Sequence, residues 1–245
     1  MDAVLEIRGM SKAFGGLQAV HKFDLQVQEK DLIGIIGPNG AGKTTVFNLI
    51  TGFIRPDSGE VWLKGEKITR LKPFQIVNRG LCRTFQLVDL FKEMTALENV
   101  MIPCFSHRAS QQRSKEEKSW KVAMKFLEEV GLENRFNEQA KNLAFGELRL
   151  LDIARAMATR PDVLLLDEPF SGLDAEDAEV LSSAIRQMHQ KGQTMIIIEH
   201  RLRDLLKLVE RVVAIVFGEK IAEGTPQEIM RNPKVVNAYL GERRE

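Results

Sequence analysis

Eight consecutive residues, Gly37-Pro38-Asn39-Gly40-Ala41-Gly42-Lys43-Thr44, carry glycines, a lysine and a hydroxyl at the spacing G-x-x-x-x-G-K-[ST]. Glycines let the backbone curl so that several amide N–H groups face phosphate oxygens. A helix that starts there adds partial positive charge at the same place. Lys43 is then within reach of β and γ phosphates, and the Thr44 hydroxyl is a ligand for Mg²⁺. A chance glycine-rich turn rarely lies between an apolar strand and a helix, as this one does. The pattern predicts nucleotide binding.

A second run, Val163-Leu164-Leu165-Leu166-Asp167-Glu168, is apolar and ends in two acids. A buried strand delivers its last residues to the edge of the sheet where open α/β folds bind ligands. Alone, such a pair is commonly a solvated turn or a helix cap. Together with the loop, Asp167 is expected to hold Mg²⁺ and Glu168 to polarise an attacking water. Met195 to Ile198 is a further apolar run, followed by Glu199-His200. A lone histidine is more often structural than catalytic. Here it ends a strand expected to neighbour the acidic one, where it is able to donate to a γ-phosphate.

The elements that must position these groups follow from period and punctuation. Val4 to Arg8, Phe23 to Val27, Leu32 to Ile36 and Val61 to Leu63 read as strands, and Lys43 to Ile50 as a helix. From about Gln86 to Arg160 the pattern turns helical. Trp120, Met124 and Leu127 share a helix face that Phe126 and Val130 widen. Ser106 to Lys121 reads as a solvated loop leading into that helix. Leu148 to Ala158 forms a helix stopped by Pro161. The last third alternates: strand Val163 to Asp167, helix Ala175 to Lys191 with Gly192 behind it, strand Thr194 to Glu199, helix Leu202 to Val209, strand Val212 to Phe217. Such alternation implies a mostly parallel sheet covered on both faces.

Leu143-Ala144-Phe145-Gly146-Glu147 opens a helix 24 positions before Asp167. That placement resembles the signature of ABC ATPases, usually LSGGQ. Phe14 before Gly15 resembles the aromatic that stacks on adenine, and Gln86 in Arg83-Thr84-Phe85-Gln86 resembles the Q-loop glutamine. Ser171-Gly172-Leu173-Asp174 resembles the D-loop. The order of all these elements fits across essentially the whole chain. Within the superfamily, the chain is most similar to ATP-binding subunits of high-affinity branched-chain amino acid importers. The stretches Phe14 to Leu17, Arg83 to Gln86, Glu93 to Thr95 with Glu98-Asn99, Ile198 to His200, and Ile221 to Pro226 with Ala238 to Gly241 carry that likeness. Part of the tail is shared with subunits of lipopolysaccharide export.

The resemblance implies an α/β fold: a RecA-like, mostly parallel sheet core with an N-terminal antiparallel β subdomain, over 1–85 and 161–245, and an inserted α-helical subdomain over 86–160. It implies two such subunits, identical or paralogous, meeting head to tail with ATP and Mg²⁺ at the joint. Phe14 and Gly37 to Thr45 would bind the nucleotide. Thr44, Gln86 and Asp167 would hold the metal, with Glu168, His200 and Gln86 catalytic. Ala144, Phe145, Gly146, Glu147 and Asp174 would reach the nucleotide of the opposite subunit. Transmembrane permease subunits would dock near Leu87 to Met94, and a solute-binding protein would act indirectly. The expected location is cytoplasmic, on the inner face of the membrane. One departure stands out: Ala144 has no hydroxyl where the signature has serine, so the trans contact is expected to be weaker while backbone N–H groups remain.

Composition sets outer bounds. The 245 residues are 44% hydrophobic and 28% charged with net charge +1, as in an ordinary globular chain and unlike a protein held by nucleic-acid phosphates. No apolar run approaches the roughly 20 residues of a membrane span, and no secretory signal is expected. Cys82 and Cys104 read as two reduced thiols. Other classes remain open: an exporter subunit, a soluble ABC ATPase without a transport role, or a subunit that binds ATP without hydrolysis. A single phosphate loop and the absence of long heptads count against the second. Lys43, Asp167, Glu168 and His200 count against the third.

Overall fold

The computed structural model describes residues 3–114 and 117–241. In chain order the first elements are β1 (Leu5–Phe14), β2 (Leu17–Val27), β3 (Leu32–Ile36), α1 (Lys43–Ile50), β4 (Ser58–Leu63) and β5 (Glu66–Lys67). Then come α2 (Pro73–Arg79), β6 (Leu81–Arg83), α3 (Ala96–Met101), α4 (His107–Gln112), α5 (Ser119–Glu129) and α6 (Phe145–Met157). The last part holds β7 (Val163–Asp167), α7 (Ala175–Gln190), β8 (Thr194–Ile198) and α8 (Leu202–Leu206). It closes with β9 (Arg211–Val216), β10 (Glu219–Gly224), α9 (Pro226–Arg231) and α10 (Pro233–Gly241). The fold is mixed α/β and forms two compact units, Met1–Ile76 with Thr194–Glu245, and Val77–Gln193.

The first unit holds two sets of strands. One is an antiparallel sheet in the order β2-β1-β4-β5. Leu5, Ile7 and Met10 of β1 are buried, as half-covered strands require, with a register shift after Ile7 that accommodates Gly9. β1 runs on to Phe14, beyond the expected Arg8, because β2 pairs with it along that whole length. In the other set β3 lies between β8 and β9, parallel to both, and β10 pairs antiparallel with β9. Every residue of β3 and β8 is buried, which explains their unbroken apolar sequence. A Cβ on Gly34 would lie 2.9 Å from Leu205 Cδ2, so α8 packs directly on β3. α8 ends at Leu206, short of the expected Val209, where the Leu208 amide donates to the Leu205 carbonyl in a tighter turn.

In the second unit β6 pairs parallel with β7, Leu81 opposite Val163 and Arg83 opposite Leu165. Helices α3, α5 and α6 pack against one another. α5 buries Val122, Ala123 and Leu127. Trp120, expected on that face, is 46% exposed, because the buried stripe is centred one position round the helix, on Ala123. The expected loop from Ser106 contains α4, capped by the Ser106 hydroxyl; residues 115 and 116 of that run lie outside the described residues. Asn99 is fully buried and staples the chain before α3. Its Oδ1 accepts from the Phe91 amide at 2.9 Å, and its Nδ2 donates to the carbonyls of Phe91 and Thr95 at 3.0 Å each.

Two predictions follow from this packing. Thr95 and Glu98 cap α3 reciprocally, the Thr95 amide donating to Glu98 Oε2 at 2.8 Å and the Glu98 amide to Thr95 Oγ1 at 3.2 Å. Thr95→Ala is expected to cost about 1 kcal/mol in denaturant unfolding. Cys82 and Cys104 are both buried and unbridged, and burial pushes both thiols above the ordinary range. Iodoacetamide at neutral pH should therefore label neither in the native protein and both after denaturation.

Candidate functional site

The phosphate loop lies wholly in the first unit. β3 ends at Ile36 and α1 begins at Lys43, as the sequence predicts. Gly42 is the N-cap of α1 with φ +98°, a conformation that glycine adopts without penalty. A Cβ there would lie 2.3 Å from the Ala19 carbonyl oxygen of β2, so the position is closed to any side chain. Lys43 is buried and donates through Nζ to the carbonyls of Gly37 at 2.6 Å and Pro38 at 2.8 Å. These bonds pull the loop over the ammonium. α1 has no side-chain cap and no acid in its first turn, while Thr44 is exposed and Thr45 half-buried. A glycine-shaped cradle, a buried ammonium and an uncapped helix N-terminus together suit a polyphosphate.

Phe14 stands in the same unit at the tip of the β1–β2 hairpin, 47% exposed. Lys12 Nζ is 5.6 Å from its ring centre and pairs with Asp57 at 2.7 Å, while Asp57 Oδ2 accepts from the Ala13 amide at 2.8 Å. Asp57 thus fixes the hairpin that presents Phe14. His200 follows β8 and has a half-exposed side chain. The sequence reading gave Glu199 no task, and the structure gives it one. Glu199 is fully buried and its Oε2 accepts from the amides of His200 at 2.9 Å and Arg201 at 3.0 Å. The turn that presents His200 is built on that carboxylate.

The acidic pair lies in the second unit, at the end of β7. Asp167 is buried and forms an ion pair with Arg83. Glu168 takes a left-handed conformation, φ +47°, and its Oε2 accepts from Gln86 Nε2 at 3.0 Å. The end of β6 and the residues just after it therefore meet both acids, Arg83 on Asp167 and Gln86 on Glu168. The same unit brings the start of α6 to the segment before α7. A Cβ on Gly146 would lie 2.5 Å from the Asp177 carboxylate, and one on Gly172 3.0 Å from the Phe145 ring. Asp174 caps α7, its side chain accepting from the Asp177 amide at 2.9 Å. Glu147 Oε2 accepts from the Ala144 amide at 2.9 Å, and Glu147 Oε1 accepts from Arg135 Nε at 3.0 Å.

Arg149 ties these pieces together and was not singled out from sequence. It is buried, its guanidinium stacks 5.2 Å from the Phe145 ring, and it donates to the carbonyls of Phe85 at 3.4 Å and Ser171 at 3.2 Å. Its distance from Phe85 along the chain hides it; the only local signal is an arginine on the apolar face of α6.

Among the described residues no group of three or more His, Cys, Asp or Glu forms a metal cage. Mg²⁺ is usually held by one or two protein oxygens together with substrate phosphates. Thr44 in the first unit, and Gln86 and Asp167 in the second, each carry an oxygen of the kind that Mg²⁺ accepts. The loop geometry carries its own test. Gly42→Ala sets a Cβ against backbone in a strained conformation, and is expected to cost about 2 kcal/mol or more in unfolding and to abolish nucleotide binding by calorimetry.

The family described as ABC transporter matches residues 20–171, and that described as branched-chain amino acid ATP-binding cassette transporter matches residues 219–245. The chain is 42% identical over 250 residues to the high-affinity branched-chain amino acid transport ATP-binding protein BraF of Pseudomonas aeruginosa, covering 98% of each. It is 38% identical over 250 residues to LivG of Escherichia coli strain K12, a high-affinity branched-chain amino acid transport ATP-binding protein, again covering 98% of each. Among solved structures, the ADP conformation of MJ1267, an ATP-binding cassette of an ABC transporter, matches with a TM-score of 0.88 at 33% identity, covering 98% of this chain and 100% of that one. The dimeric post-hydrolysis state of the cassette MJ0796, bound to ADP and Pi, matches with a TM-score of 0.77 at 26% identity, covering 91% and 98%. With full-length relatives at this identity and a family match over more than half its length, the chain belongs to the ABC transporter ATP-binding cassette family.

Proposed function

We propose that the chain is the ATP-binding and hydrolysing subunit that energises a branched-chain amino acid importer. The observation that carries the ATPase reading is the uncapped, glycine-braced start of α1, with Lys43 buried beneath it. The acidic end of β7 supports it, because a general base and a metal ligand are what such a loop requires. Relatives named for branched-chain amino acid transport support the solute class.

Phe14 stacks on the adenine, and the amides of Gly37 to Thr45 with Lys43 bind the phosphates. Thr44, Gln86 and Asp167 would hold Mg²⁺, which would supply charge neutralisation at the phosphate oxygens. Glu168 accepts a proton from the attacking water. Its backbone is left-handed, and Gln86 holds its carboxylate. His200, set by the buried Glu199, donates to the γ-phosphate. The first residues of α6, Ala144 to Glu147, and Asp174 close over the nucleotide of a second ATP-binding subunit. Closure then depends on the γ-phosphate, and hydrolysis releases it.

No helix among the described residues is long and apolar enough to cross a membrane. Permease subunits therefore supply the path, with this chain docked on the inner face of the membrane and the solute-binding protein acting through the permeases. Exposed Leu87 and Phe91 lie beside Gln86 in sequence and fit that docking role.

Glu168→Gln should reduce ATP turnover at least about a hundredfold while ATP-dependent dimers or permease complexes accumulate. Turnover at the wild-type rate would remove Glu168 from the mechanism. Affinity purification from membranes should recover permease subunits with the chain.

A further inference from the structure

Arg83 takes no part in the roles just given, yet it holds the carboxylate that they assign to the metal. β6 ends at Arg83, directly opposite Leu165, and the Thr84 amide continues the pairing to the Leu165 carbonyl at 3.0 Å. This register delivers the Arg83 guanidinium to Asp167, and in that ion pair both side chains are 4% exposed. The guanidinium is also 4.8 Å from the centre of the Phe85 ring. Arg83 is therefore fixed by its strand and its stack as well as by the acid. A buried ion pair is expensive to desolvate and adds little net stability. Its consequence here is electrostatic: one carboxylate serves a resident cation and must also serve an incoming one.

We propose that Arg83 is a positioning residue that occupies Asp167 until the metal arrives, so that guanidinium and Mg²⁺ compete for one carboxylate. The proposal rests on Asp167 as the metal ligand. Arg83 holds the buried carboxylate in place before nucleotide binds, and it lowers the affinity of the site for Mg²⁺. Two cations drawn to one carboxylate in a weakly screened interior repel each other. Position 83 thereby sets how steeply nucleotide binding depends on magnesium, without touching the nucleotide.

The test uses the full chain and ADP, so that no turnover enters. Calorimetry gives ADP affinity in EDTA and the Mg²⁺ concentration for half-maximal enhancement, in wild type, Arg83→Gln and Arg83→Lys. Glutamine keeps a donor for Asp167 and gives up the charge. Metal-free ADP affinity should stay within about twofold of wild type, while Arg83→Gln lowers the Mg²⁺ requirement about tenfold or more and Arg83→Lys stays near wild type. A purely structural Arg83 predicts no such fall: an unchanged or raised Mg²⁺ requirement in Arg83→Gln overturns the proposal. If Arg83→Gln does not fold, the wild-type chain decides. With arginine labelled by ¹⁵N, the Nε–H resonance missing from Arg83→Lys should shift between ADP with EDTA and ADP with Mg²⁺, and a resonance that stays in place overturns the proposal. Wild-type chain that binds ADP in neither condition overturns the nucleotide reading and this proposal together, whereas Mg²⁺-dependent binding indifferent to residue 83 overturns this proposal alone.

Discussion

The parallel pairing of Leu81, Cys82 and Arg83 with Val163, Leu164 and Leu165 decides where two carboxylates stand. Side chains alternate along a strand, so a slip of one residue would exchange the faces of every group on β6. In the register observed, Arg83 reaches Asp167, the Thr84 amide bonds Leu165, the Phe85 carbonyl receives Arg149, and Gln86 reaches Glu168. Three of these four consecutive residues are thus spent on one strand end, and the fourth is held from α6. Glu168 holds a left-handed backbone that costs a non-glycine residue of order 1 kcal/mol, and the Ser171 amide helps retain it by donating to its carbonyl at 3.1 Å. Strain of this kind persists only where neighbours over-determine it, as they do here.

The phosphate loop obeys a comparable constraint within its own unit. The Gly218 amide donates to the Ala41 carbonyl at 2.9 Å, and the His21 amide donates to the Gly218 carbonyl at 2.9 Å. A Cβ on Gly218 would lie 2.6 Å from the Ala19 oxygen, the same atom that excludes a side chain at Gly42. The turn between β9 and β10 and the middle of β2 therefore clamp the back of the loop through main-chain contact alone. Backbone contact cannot be relaxed by rotating a side chain, so the loop's shape is set by strands distant in sequence. Only its glycines record that fact locally.

This explains what could be read in advance. β3, α1 and β7 have the predicted boundaries because an unbroken apolar run, a glycine turn and a terminal acid are local signals. The loop, the acidic pair and Gln86 carry chemistry in their residue types. β6 has three residues, too few for periodicity, and its strand character comes only from β7. Arg83, Arg149 and Glu199 look like ordinary charges in sequence; the first two gain their tasks from partners distant in the chain, and Glu199 gains its own from being buried beneath the turn that follows it. Trp120 shows the converse: its spacing fits a helix face, but packing against α3 and α6 chose a neighbouring stripe.

The altered signature can be judged on the same terms. Where the usual pattern has serine and glycine, Ala144 offers no hydroxyl and Phe145 adds a ring. That ring does not crowd the helix start; it lies beside Gly172, φ +80°, with Arg149 on it, and so it replaces side-chain freedom with packing. Glutamic acid in place of glutamine is the larger change, since a carboxylate near a phosphate of the opposite subunit would repel it. Here both carboxylate oxygens are engaged within the chain. Glu147 spends one oxygen on the Ala144 amide and the other on Arg135, so a cation stands beside it and the helix start is locked. The amides of Phe145 and Gly146 are left as the donors at the positive end of α6. Where the usual pattern has a hydroxyl, this chain therefore has a helix start braced by its own third residue.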